Sequence, residues 1–171
     1  MKKNKNIKWI LLITSLTFII SMIFSYLSET ILNRSNIVIE LIVLLIVILI
    51  GIIFDMIGVA ITTCPEHPFH AMASRKIKGA KTAIKLIKNK DKVSSFCNDV
   101  IGDICGIVSG TAGVIIAASI AKDSIICSLL ITATISSLTI GGKALGKNIA
   151  VNKNESITKI VSKILSITEH K

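Results

Sequence analysis

The chain alternates between long apolar runs and short, strongly charged stretches. Ile10 to Leu27 is 18 residues without a charge. Ile37 to Phe54 is nearly pure Ile, Leu and Val, with Glu40 near its start and Asp55 just past its end. Ile104 to Ala121 is uncharged and rich in Gly, Ala, Ser and Ile, and Ser124 to Gly142 is uncharged again. Each run approaches the ~20 residues that carry a helix across a ~30 Å hydrocarbon core. The pattern therefore predicts an all-α integral membrane protein with four transmembrane helices. The first run exceeds the roughly 7–15 residues of a signal-peptide core, and no small-residue cleavage site follows it. The sequence there reads Phe24-Ser25-Tyr26-Leu27-Ser28, so this span is expected to stay as an anchor.

Two further segments repeat with the helical period rather than as solid apolar blocks. Between Ala73 and Asn89, Ile77, Ala80, Ile84 and Ile87 recur at spacings of three and four, and Lys78, Lys81, Lys85 and Lys88 recur on another face. Asn154 to Thr168 has the same design, with Ile157, Ile160, Val161, Ile164 and Leu165 on one face. Both predict amphipathic helices with cationic stripes. Such helices suit the surface of an anionic inner leaflet, where each Lys contributes about 1 kcal/mol. Docking on another protein is the competing reading. Pro65 and Pro68 are expected to end the second span and turn the chain into the first of these helices.

Charge sharpens this picture. The 171 residues carry 20 Lys+Arg against 10 Asp+Glu, a formal net charge of +10. In a water-soluble domain that excess would indicate nucleic acid. Here 51% of residues are hydrophobic and the mean hydropathy is +0.75, which excludes that class. The cations are also sorted. Lys2, Lys3, Lys5 and Lys8 precede the first span, eight lie between the second and third, and six follow the fourth. Only Arg34 and Lys122 fall in the other two connections. The positive-inside rule then places both termini and the middle loop in the cytoplasm of a multi-pass plasma-membrane protein.

Gly102, Gly106 and Gly110 form a Gly-x3-Gly-x3-Gly stripe that suits close helix packing. Polar residues accompany it: Asn98, Asp99 and Asp103, with Asp55 at the end of the second span. Acids at membrane depth are costly and mark ion pathways. Asp99 and Asp103, four apart, would share a helix face. Oxygen donors without thiolate suit a hard cation such as Mg²⁺, Ca²⁺ or Na⁺. Cys64-x2-His67-x2-His70 has soft-metal spacing, but it is one cluster interrupted by prolines and a weak zinc signal. Cys97, Cys105 and Cys127 read as small buried residues. There is no phosphate-binding glycine loop, nucleophile elbow or zinc-protease motif, so an enzyme is not expected.

From Glu40 to Leu165 the order of features resembles the transmembrane domain of the cyclin-M/CorB/CorC magnesium and cobalt transporter family. The family's basic helix carries an R-G-A-x-x-A-L-x-L pattern, and here Lys78-Gly79-Ala80-Lys81-Thr82-Ala83-Ile84-Lys85-Leu86 stands in its place. A Gly-Asn-Asn stretch entering the next span falls on Cys97-Asn98-Asp99. The family's G-E-x-x-P-K-x-x-A after the last span falls on Gly142-Lys143-Ala144-Leu145-Gly146-Lys147-Asn148-Ile149-Ala150, followed by the amphipathic helix. Asp55 stands at the family's Ser-rich motif, and Lys143 at its acidic position.

The resemblance implies residues 37–171 as the family's membrane domain, with spans about 37–54, 104–121 and 124–142. Residues 1–36 would be an added anchor and a short external loop. It also implies a homodimer handling divalent cations, with Asp55, Asn98, Asp99 and Asp103 holding Mg²⁺ and Lys143 modulating the site. No resident cofactor is read from the chain, and Mg²⁺ would be the bound or transported ion. The alternative keeps the fold without transport, as an accessory or lipid-sensing protein in which Asp55 and Asp99 pair with Lys143. Size and charge alone would also fit a holin-like or immunity-type protein.

Overall fold

The computed structural model describes residues 2–32, 36–121 and 124–168. Arg34, Lys122 and Lys171 lie outside them. Within them the backbone is almost entirely helical, with no strand. The elements are α1 (Lys2–Leu32), α2 (Ile37–Thr63), α3 (His67–Ser74), α4 (Ala80–Lys88) and α5 (Lys90–Ser94). A π-helical stretch, Ser95–Gly102, leads into α6 (Asp103–Ala121), then α7 (Ile125–Asn152) and α8 (Asn154–Thr168). Four stretches are long and apolar enough to cross a membrane: Trp9–Tyr26, Ile37–Thr63, Lys90–Ala121 and Ile125–Asn152.

The helices overrun the apolar blocks. α2 continues to Thr63, so Asp55 lies inside the helix rather than at its end, and α7 runs on from Gly142 to Asn152. A charged side chain leaves the main-chain hydrogen bonds intact, so the helices continue past Asp55 and Lys143.

The chain divides into two compact units, residues 1–51 with 100–141 and residues 52–99 with 142–171. In the first, α1 packs along α6, and Ile13, Ile20 and Phe24 meet a buried row of Val100, Ile104 and Val108. Leu44 and Ile48 of α2 are also buried. Large aliphatics such as Ile125, Leu129, Leu138 and Ile140 on α7 face outward. So much exposed apolar surface is unsuited to water and suits hydrocarbon.

In the second unit α3 packs on α4 around Cys64, Phe69, Ala83 and Ile87, and α4 packs on α8. The basic segment is not the single helix 73–89 that periodicity predicts. α3 ends at Ser74, and α4 begins only at Ala80 after a turn. Lys76 has φ 54° and Gly79 φ 86°. Left-handed backbone at both positions interrupts the helix, and glycine supplies the second at no steric cost. The turn is pinned as well, since a Cβ at Gly79 would lie 3.0 Å from the Lys163 main-chain nitrogen of α8.

The C-terminal helix begins at Asn154 as the pattern predicts and continues to Thr168, the last described residue. Thr158 and Ser162 are fully buried, while Ile160 and Ile164 point outward. Short side chains let α8 approach α4 closely, and Ala80 and Ala83 are correspondingly buried on α4. Asn154 at the start of α8 donates from Nδ2 to the Thr63 carbonyl at the end of α2 (3.2 Å).

Candidate functional site

The polar centre of the second unit is Asp55. Its side chain is only 4% exposed, and Oδ2 lies 3.6 Å from Lys143 Nζ and 3.9 Å from Lys147 Nζ. The two lysines are one helical turn apart on α7, so they approach the carboxylate from successive turns. What brings α7 near enough is glycine. Gly142 and Gly146 precede each lysine by one residue, and a Cβ at Gly146 would lie 2.9 Å from Ile52 Cγ2 and from Met56 Cγ on α2. The small-x3-small pair that packs Asp55 between its cations is therefore Gly142/Gly146.

Lys143 is mostly buried (19% exposed) and Lys147 half exposed (51%). A carboxylate taken out of water this far needs a compensating charge. Lys143 contributes most of that compensation, because Lys147 remains open to screening.

Asn98 lies in the π-helical stretch and packs its amide against Gly58 of α2, where a Cβ would collide with Oδ1. Its Nδ2 donates to Ser94 Oγ (3.1 Å), whereas Oδ1 is buried and has no hydrogen-bond partner among the described residues. Asp99 turns outward and accepts from Ser95 Oγ (2.8 Å). Asp103 is also exposed. Among the described residues, no group of three or more Asp, Glu, His or Cys side chains could hold a metal. Within the second unit Asp55 and Asn98 are turned inward and Asp99 outward, and the expected Asp99–Lys143 pairing gives way to the Ser95 contact.

The glycine stripe is likewise divided in its use. Gly102 is buried, but a Cβ at Gly110 would meet nothing within 4 Å. α2 meets α6 instead at Gly51, where a Cβ would lie 2.9 Å from Cys105 Cβ.

At the Cys64–His70 turn, His70 Nε2 pairs with Glu66 Oε1 (2.9 Å), which Lys88 Nζ also approaches (3.7 Å). Cys64 is buried in the α3–α4 core, and burial pushes its thiol up, partly offset by the Thr158 hydroxyl. The turn is thus an exposed salt-bridge cap. Cys97 and Cys105 are buried as expected, but Cys127 is exposed.

Two features were not singled out in the sequence. Lys147 repeats Lys143 one turn on, a spacing visible beside the Gly-x3-Gly pair. Glu40 is buried (7% exposed) with Oε2 lacking a hydrogen-bond partner, and no sequence pattern distinguishes it from an ordinary first-turn acid. No protein-family model, no curated protein and no solved structure matches this chain.

Proposed function

We propose that this is a non-transporting multi-pass membrane protein whose buried acid is neutralised by its own lysines and whose basic second unit engages an anionic membrane surface, in a lipid-sensing or accessory role. One observation carries the reading: two ammonium groups lie within 4 Å of Asp55 Oδ2. A divalent cation needs several oxygen ligands at about 2.0–2.6 Å, and positive charge beside the carboxylate opposes its entry. The sorting of 18 of 20 cations supports cytoplasmic termini and an anionic inner leaflet as the surface engaged. The outward Ile160 and Ile164 on α8 support its lying along that leaflet.

The test is Mg²⁺ flux in proteoliposomes. The expected result is flux no greater than in protein-free vesicles. Flux that Asp55→Asn abolishes would overturn the reading. A reporter fused after Lys171 should report from the cytoplasm, and an external signal would overturn the topology.

A second reading, divalent-cation transport or homeostasis by a dimer of the CorB/CorC type, is favoured by Asn98. A buried carbonyl oxygen without a donor, on a π-helical turn, is a ligand atom awaiting a cation. It requires Lys143 to withdraw before an ion enters. Under this reading Mg²⁺ raises the Tm of the detergent-solubilised protein and Asn98→Leu removes the increase. No Tm change with Mg²⁺ sinks it.

A further inference from the structure

We propose that the second unit holds a phosphate-binding pocket, formed by the turn before α4 and filled by the phosphate of a membrane lipid headgroup. The pocket is a cavity of about 540 Å³ whose walls include Lys76, Lys78, Lys81, Thr82 and Ser166. Its volume is in the range of small-ligand sites, roughly 300–1,000 Å³. Among the described residues three lysines line it with no acid beside them, and none of the three pairs with an acid. Lysines so grouped repel one another unless an anion joins them, and a phosphate offers each an oxygen in a charge-assisted bond.

The walls are held in place rather than merely near one another. Gly79 sits in left-handed backbone with α8 main chain against it, and Lys76 takes φ 54° in the same turn. Together these fix the backbone of the turn that carries Lys76 and Lys78 and leads into Lys81, the second residue of α4. Thr82 and Ser166 complete the wall, and the Ser166 hydroxyl donates to the Lys163 carbonyl of α8 (2.7 Å).

A preformed turn distinguishes this pocket from the remaining lysines of the basic unit, such as Lys153 and Lys159, which are exposed on helical surface. Generic attraction to anionic lipid would weigh all of them alike. A pocket weighs Lys78 and Lys81 above them. Lipid is the source because the proposal rests on the reading that this unit lies on an anionic leaflet, where headgroup phosphate is the abundant anion.

The experiment uses the full chain in detergent micelles containing phosphatidylcholine, titrated with phosphatidic acid, with phosphatidylglycerol or with inorganic phosphate. Binding is read by native mass spectrometry. Lys78→Gln/Lys81→Gln is compared with Lys153→Gln/Lys159→Gln, which removes the same charge elsewhere. The expected result is preference for phosphatidic acid, whose monoester offers more free oxygens. Its affinity should fall about tenfold further in the pocket variant than in the control.

Equal losses in the two variants would overturn the pocket while leaving the anionic-surface reading intact. Binding that shows no dependence on anionic lipid in any form would overturn that reading too. Inorganic phosphate that displaces the lipid at equal concentration would overturn lipid as the source. Gly79→Ala, which alters the turn and no charge, should lower phosphatidic acid affinity, and wild-type affinity there would overturn the preformed turn.

Discussion

The two units bury different kinds of residue. The first buries aliphatics such as Leu44, Ile48, Ile104 and Ile116, and Glu40, its one buried acid among the described residues, has an oxygen without a hydrogen-bond partner among them. The second, besides Ile61 and Phe69, buries Ala60, Ala80, Ala83 and Ala150 with Asp55, Thr158 and Ser162, and answers its acid with two lysines. Close packing of small residues in the second unit lets Asp55 meet its lysines at short range, although Asn98 Oδ1 and Thr158 Oγ1 there have no hydrogen-bond partner among the described residues. The first is held by the shape of its aliphatic rows, with the outward side chains left to hydrocarbon. The contrast teaches that a polytopic chain can confine its electrostatic organisation to one part and leave the other to packing.

The sharpest way to break that contrast is to remove the paired acid. Asp55→Ala leaves Lys143 buried without this carboxylate and should cost about 3–5 kcal/mol. Asp55→Leu combined with Lys143→Met should recover most of the loss, because an apolar pair of similar volume replaces the ions. Lys147→Ala should cost no more than about 1 kcal/mol, since half of that side chain is exposed. Glu40→Gln removes an acid to which no cation among the described residues is matched and should shift stability by less than about 1 kcal/mol. Denaturant unfolding in matched micelles measures all four. Equal losses at positions 55 and 40 would erase the distinction between the units.

A second test addresses how the small-residue unit is built. Gly79→Ala must place a side chain at φ 86° and against the α8 backbone, and the expected loss is about 1–3 kcal/mol. Gly110→Ala in the first unit meets open space in mid-helix and should gain about 0.5–1 kcal/mol from lower backbone entropy in the unfolded chain. Thermal unfolding of both variants reads the difference. A loss at Gly110 comparable to that at Gly79 would reveal a second copy seated on that helix face.

These positions also show what could be read from the sequence. The four apolar blocks announced themselves because a span needs nearly every position apolar, a demand that no local contact relaxes. The start of α8 was legible because Asn154 begins it and its period is unbroken. Its inward face was not, because small and polar Thr158 and Ser162 look like solvent positions until α4 is placed against them. The break in the basic segment is hidden behind an intact apolar period, since Gly79 fits the helical repeat while its left-handed φ depends on tertiary contact. Asp55 and Lys143 could be singled out as acid and cation near membrane depth. Which acid would face Lys143 depended on the π-helical stretch, where Asn98 turns inward and Asp99 outward, and no propensity encodes that phase. The glycines that matter, Gly142 and Gly146, were passed over for the more conspicuous triple stripe.

The smallest expected effect concerns Cys64, the thiol in the α3–α4 core. Burial holds it above the ordinary thiol range, and the Thr158 hydroxyl offsets only part of the shift. A thiol whose folded value is raised binds its proton more tightly in the folded chain than in the unfolded one. Its contribution to stability is therefore fully present below the unfolded thiol value and fades as pH rises through the folded value. Lysines titrate in the same alkaline range, so total stability against pH would not isolate it. The difference between wild type and Cys64→Ala does, since the other groups cancel. That difference should be flat from pH 6 to about pH 8, near the ordinary thiol value, and should then drift toward Cys64→Ala as pH rises. Alkylation gives an independent reading. With Cys97, Cys105 and Cys127 replaced by Ala, folded protein should react with iodoacetamide far more slowly than protein unfolded in detergent at the same pH. Equal rates would mean that Cys64 is not shielded and that the α3–α4 core opens readily, which would place the second unit's order in its ion pair and α4–α8 packing alone.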